Sequence, residues 1–248
     1  MEADMSPEMA SQVLHMLTGG GSMESINTPL ALRLIPLAQE LEDNALVEQL
    51  LDHATKVASN DEERGWARFE ALKVVDATLE SYTRLAEEAE GIEGGQALTA
   101  AVHHYVALLY LADGRLEEAR ATAQRALQLR QMIEDKEGMS YGMALLMNIA
   151  KRQHDEDTAI AVGTERLELL ISLKDEVGQM KALADLAHCQ ATIGEFGAAR
   201  DLFNRSLDHA KGLESLSGQL VARWGLADLA EIEQDYDCLL YTSPSPRD

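Results

Sequence analysis

The sequence predicts an all-α protein, a stack of helical hairpins, on three observations. Three segments, 98–135, 138–175 and 178–215, line up at a spacing of 40 residues, and a fourth begins at 218. Aromatic residues make up only 4% of the chain against 46% apolar. Ala and Leu dominate instead, which favours helices packed closely through small side chains over a β-sandwich. Within each segment the apolar positions recur at helical spacing.

Residues 1–26 hold a short helix-like stretch followed by TGGGS (18–22), and are expected to be partly flexible. Residues 28–58 read as two helices, the first opened by Thr28 as N-cap with Pro29 at the first helical position and kinked at Pro36. Residues 61–90 read as another pair, closed by the hinge-like GIEGG loop at 91–95. The span 27–94 is thus a set of degenerate repeats, and 95–237 carries the regular ones.

The regular repeats align in the columns that a helical hairpin needs. Val106, Leu146, Leu186 and Leu226 sit midway along the first helix, each followed by Ala107, Met147, Ala187 and Ala227. The turn column reads Gly114, His154, Gly194, Gln234. A residue ending a helix often takes positive φ, where Gly is unstrained and His is tolerated better than most. Ala119, Ala159 and Ala199 mark close approach early in the second helix, and Leu127, Leu167 and Leu207 continue its buried stripe eight residues on.

With the turn phrases ADGRLEEAR (112–120), TIGEFGAAR (192–200) and EQDYD (233–237), these columns resemble the tetratricopeptide repeat (TPR) family. The unit is 40 residues rather than the usual about 34, and the Pro that closes the family's second helix is absent. The closer likeness is to the long-helix variety in the arms of bacterial signalling ATPases and transcription activators. The resemblance covers roughly 95–237. It implies a right-handed superhelical solenoid of antiparallel helix pairs whose first helices line a concave groove.

The register does not continue past Asp237. A second helix is demanded there, and the chain gives Ser-Pro-Ser-Pro at 243–246 instead. Residues 238–248, CLLYTSPSPRD, resemble a translated transposase-type sequencing adapter, so this tail is expected to be non-native and the natural protein longer. Cys238 would then not be genuine, leaving Cys189 as the one thiol.

With 43 acidic residues against 21 Lys and Arg, the chain carries −22. Such a chain is repelled by phosphate backbones and anionic lipid, so neither nucleic acid nor membrane is expected as a partner. An acidic N-terminus without a signal pattern and two Cys point to a cytoplasmic setting. Enzyme activity, metal and cofactor are not expected. Adjacent His103 and His104 diverge by about 100° on a helix and cannot readily grip one ion. GGGS at 19–22 lacks the Lys of a phosphate loop. The paired acids fall on open helix faces.

The resemblance places His104, Leu108 and Leu111 in the groove, then Tyr141, Ala144, Asn148, Lys151 and Arg152. Lys181, Ala184 and His188 follow, then Trp224, Asp228 and Glu231. Three cations stand against two acids across these columns, on a strongly acidic chain. A protein or peptide partner bearing acidic or carboxylate groups is therefore expected. Asn148 and Lys181 match two positions of the carboxylate clamp of chaperone-binding members, while His104 and Leu108 depart from it. Trp224 is either an aromatic anchor for that partner or a residue that packs on the rest of its own repeat. Two other roles stay open: the sensing arm of a larger ATPase, transcription regulator or enzyme, and self-association through the solenoid ends.

Overall fold

The computed structural model describes residues 7–75 and 77–233, with side chains from Gln12 onward. Gln234 of the turn column, the adapter-like segment and Cys238 lie outside the described residues. Those residues form twelve helices and no strand: α1 (Pro7–Thr18), α2 (Thr28–Glu40), α3 (Asn44–Val57), α4 (Asp61–Val74), α5 (Leu79–Glu90), α6 (Gln96–Ala112), α7 (Leu116–Met132), α8 (Lys136–Arg152), α9 (Glu156–Leu173), α10 (Glu176–Thr192), α11 (Phe196–Gly212) and α12 (Leu216–Ile232). Packing divides the chain into two compact units that meet within α6, at Val106 and Ala107. The sequence pattern puts its boundary earlier, at 94/95.

In the first unit α2 and α3 form a hairpin whose core takes Leu34, Ile35, Leu50 and Ala54, together with Leu14 and Leu17 of α1 and Ile26. The cap of α2 differs from expectation. Asn27, not Thr28, is the N-cap, its side chain accepting from the Leu30 N–H at 3.0 Å. Thr28 is already helical, and its buried hydroxyl donates to the Ala54 carbonyl of α3. The helix runs on through Pro36. Farther along, the scarce aromatics gather: Phe69 meets Trp66, Tyr82 and Tyr105 edge-on at centroid distances of 6.0, 6.2 and 5.9 Å.

The second unit is more regular than its 40-residue sequence period. A residue in the left-handed region stands at every twentieth position: Gly114, Glu134, His154, Lys174, Gly194 and Glu214. The residue after each donates its N–H five residues back, as Asp135 to Arg130, Asp155 to Ala150, Asp175 to Leu170 and Ser215 to Ala210, at 2.9–3.0 Å. This closes the preceding helix. The same residue then opens the next one, because the side chains of Asp135, Asp155, Asp175 and Ser215 accept from the N–H groups of Gly138, Thr158, Gly178 and Gly218. One residue thus ends one helix and starts another, which forces a tight reversal and antiparallel neighbours.

Most of the expected core columns are buried, while Leu127, Leu207 and Ala227 are half-buried. Ala119, Ala159 and Ala199 are wholly inaccessible, as are Ala107 and Ala187, while Val106, Leu146, Leu186 and Leu226 are buried beside them. The core has no single centre. One cluster joins the end of α6 with α7 and α8, a second joins α8 to α10, and a third joins α10 to α12. Each hairpin is therefore held by its neighbours, as in a stack. Polar ties cross the same joints: Arg120 of α7 reaches Asp155 at 3.2 Å, and Arg200 of α11 pairs with Glu233 after α12. Buried Ser206 of α11 donates to the Met180 carbonyl of α10 at 2.9 Å.

Two glycines separate the backbone requirement from the packing one. Gly194 has φ +83 and open space around it, so Gly194→Ala is expected to lose about 1–2 kcal/mol from backbone conformation alone. A Cβ on Gly225 would overlap the buried Phe203 ring, so Gly225→Ala is expected to cost about 1–3 kcal/mol by overpacking. Lys174→Gly, which relieves a non-glycine left-handed residue, should raise the unfolding midpoint. Urea unfolding of the three variants checks all of these.

Candidate partner-binding groove

In the second unit the exposed side chains of the first helices repeat at the 40-residue spacing. One column is Tyr141, Lys181 and Val221; the next is Asn148, His188 and Asp228; the last is Arg152, Thr192 and Ile232. A helix buried on two sides by its neighbours leaves one stripe free, and these columns are that stripe. Tyr141 is 67% exposed and Trp224 64% exposed. Such exposure is unusual for large aromatic side chains.

Not every position expected in the groove is available. Leu111 and Ala184 are buried, Leu111 in the core shared by α7 and α8, and Ala184 against α11 and α12. Arg152 is exposed, yet its guanidinium donates to the Leu111 carbonyl at 2.6 Å. It closes the C-terminal end of α6 and is not a free cation. Lys151 is half-buried. His104 is half-buried within the first unit, where the neighbouring His103 lies 3.5 Å from Glu90.

The structure brings two subsets together. Tyr141 and Lys181 line a cleft of about 570 Å³ between α8 and α10, floored by Arg166, Leu170 and Leu173 of α9. Lys181 also borders a smaller apolar hollow of about 120 Å³ with Ala184, Gly218 and Val221. Lys151, His188 and Asp228 form the second subset, one from each of α8, α10 and α12. His188 stands edge-on to Phe203 at 4.9 Å. Although the residue is exposed, desolvation of the ring where it packs on Phe203 holds its imidazole below the ordinary pKa, with Lys151 acting in the same direction and Asp185 and Asp228 opposing. Beside it, burial pushes the Cys189 thiol up to about 11, which Lys151 opposes and Glu156 and Asp185 reinforce.

Arg166 escapes a reading of the first helices because it lies on α9, in the column of Ala126 and Ser206. A lone Arg where its counterparts are small was the signal that could have found it.

No family model matches the chain, and no curated protein does. Solved structures do. BtubC from P. vanneervenii is similar at 16% identity and TM-score 0.61, over 89% of this chain and 94% of that one. A signal transduction ATPase with numerous domains from Pyrococcus horikoshii, which carries a tetratricopeptide repeat sensor, is similar at 13% identity and TM-score 0.67. That similarity covers 97% of this chain and 39% of the ATPase. The fold is of the tetratricopeptide type. A Rap protein complexed with competence and sporulation factor is also similar, at 15% identity and TM-score 0.63, over 96% of this chain and 69% of that one. No helix among the described residues is long and apolar enough to cross a membrane.

Two titrations follow from the second subset. The NMR-detected midpoint of His188 is expected below the ordinary imidazole value. Between that midpoint and the unfolded one the unfolded chain binds more proton, so stability falls as pH drops through the window. His188→Gln should remove that slope. At pH 7 the Cys189 thiolate is on the order of one part in ten thousand. Peptide mapping after iodoacetamide treatment should therefore find Cys189 unmodified until the protein is unfolded.

Proposed function

We propose that this protein is a non-catalytic interaction scaffold that binds a protein or peptide segment along the exposed faces of α8, α10 and α12. One observation carries the reading: Tyr141 of α8 and Lys181 of α10 stand exposed in the same repeat column and line a cleft whose walls are those two first helices. A repeated, open surface of this kind suits an extended ligand, which can make similar contacts in successive units. Tyr141 and Trp224 supply rigid aromatic area, and Asn148, Lys181 and His188 supply polar contacts. The overall charge of −22 argues against a nucleic-acid or anionic-membrane partner. Lys151 and Lys181, set among these columns, favour a ligand with carboxylates.

A second reading makes this chain the sensing arm of a larger regulator. It is favoured by the match of 97% of the chain to 39% of an ATPase with a tetratricopeptide repeat sensor. Both readings need the same groove and differ only in what the binding event controls.

Selection from a random displayed-peptide library tests the groove. Peptides recovered on the protein are expected to lose about tenfold or more in affinity on Lys181→Glu, with helicity by circular dichroism unchanged. Equal affinity for the variant would sink the assignment of this face.

A further inference from the structure

We propose that the cleft between α8 and α10 is a specific pocket for a side-chain carboxylate of the bound segment, with Arg166 as its principal cation and Lys181 as its second. The proposal rests on the groove reading above and adds a definite site and ligand chemistry to it.

Arg166 is 7% exposed, and a guanidinium so enclosed ordinarily has its N–H groups matched by acceptors. Here the protein leaves them mostly unmatched. Among the described residues the one acceptor is Asp185 of α10, at 3.2 Å from a terminal nitrogen, and that carboxylate is itself 49% exposed. The Nε–H is buried with no acceptor. Arg130, the other buried arginine, shows how this chain treats a structural guanidinium: it donates to the Gly138 carbonyl and lies 3.9 Å from Asp135. Arg166 has no such main-chain partner, and it forms the floor of an open cleft of about 570 Å³.

The rest of the lining completes the chemistry. Lys181 stands on the α10 wall, and Ser140 and Tyr141 bring hydroxyls from the α8 wall. Leu170, Leu173 and Val177 offer an apolar bed for the methylenes of an acidic side chain. Two acids also face the cleft. Asp175 is committed as the cap of α10, accepting from the Gly178 N–H at 2.8 Å. Glu137 is exposed at the start of α8 and borders the cleft. A guanidinium presents paired donors in a plane that matches a carboxylate, a geometry an ammonium cannot reproduce.

The test is a ¹H–¹⁵N NMR titration of the full chain with the capped tripeptide N-acetyl-Leu-Glu-Leu-amide and its Gln counterpart. The Arg166 Nε–Hε signal, identified by its loss in Arg166→Lys, is expected to move with the Glu peptide. That peptide should saturate at about fivefold lower concentration than the Gln peptide. Arg166→Lys should abolish the preference, and Glu137→Gln, which leaves the core untouched, should strengthen it by about two- to threefold. Amides of Tyr141 and Lys181 moving equally with both peptides, with the Arg166 signal still, would overturn the carboxylate pocket and leave the groove standing. No movement anywhere on α8 or α10 would overturn both.

Discussion

Everything in the second unit depends on a left-handed residue at every twentieth position. That conformation lets the residue that follows close one helix through its main-chain N–H and cap the next with its side chain, so a reversal needs only two or three residues. Reversals so tight set each helix antiparallel against the next, and bring first helix onto first helix, as α10 onto α12. The small residues then follow: Ala119, Ala159 and Ala199 are wholly buried because helices tied this closely press together at that level. The exposed stripe on α8, α10 and α12 is what the same arrangement leaves over.

Much of this was legible in the sequence, and the reasons differ by residue. Gly114 and Gly194 advertise positive φ, and His154 takes its place in their column, so the turns within hairpins could be read. The turns between hairpins could not, because Glu134, Lys174 and Glu214 carry no signal for a conformation that long charged residues seldom adopt. The true backbone period of 20 was therefore hidden behind a side-chain period of 40. At α2 the ambiguity was local. Asn27 and Thr28 are both good caps, and only the carbonyl of Ala54, supplied from α3, decides which one is spent elsewhere.

The candidate site divides the same way. Columns on the first helices could be carried over because exposure on a repeated helix follows from its register. Tyr141, Asn148, Lys181, His188 and Trp224 accordingly lie on the surface. Arg152 looked equivalent in sequence, but the end of α6 lies within its reach and takes its guanidinium. Arg166 stands out in its column beside Ala126 and Ser206, but its role could not be read there. Its interest comes from what surrounds it, a half-exposed Asp185 and an open cleft, and neither is written in the column it occupies.

The twenty-residue turn also bears on how the chain reaches its fold. A folding intermediate in which α9 occupies the place of α8 keeps every helix, nearly every turn and most caps, so the error is almost free of local penalty. Rejection falls to the interfaces, above all to Gly138, Gly178 and Gly218, which appear only in first helices and leave room for Asp135, Asp175 and Met180 beside them. A half-unit slip of this kind would be a kinetic trap, a failure to which repeat arrays are prone. Contacts between hairpins, and not the hairpins themselves, are what would tell the native register from such a slip.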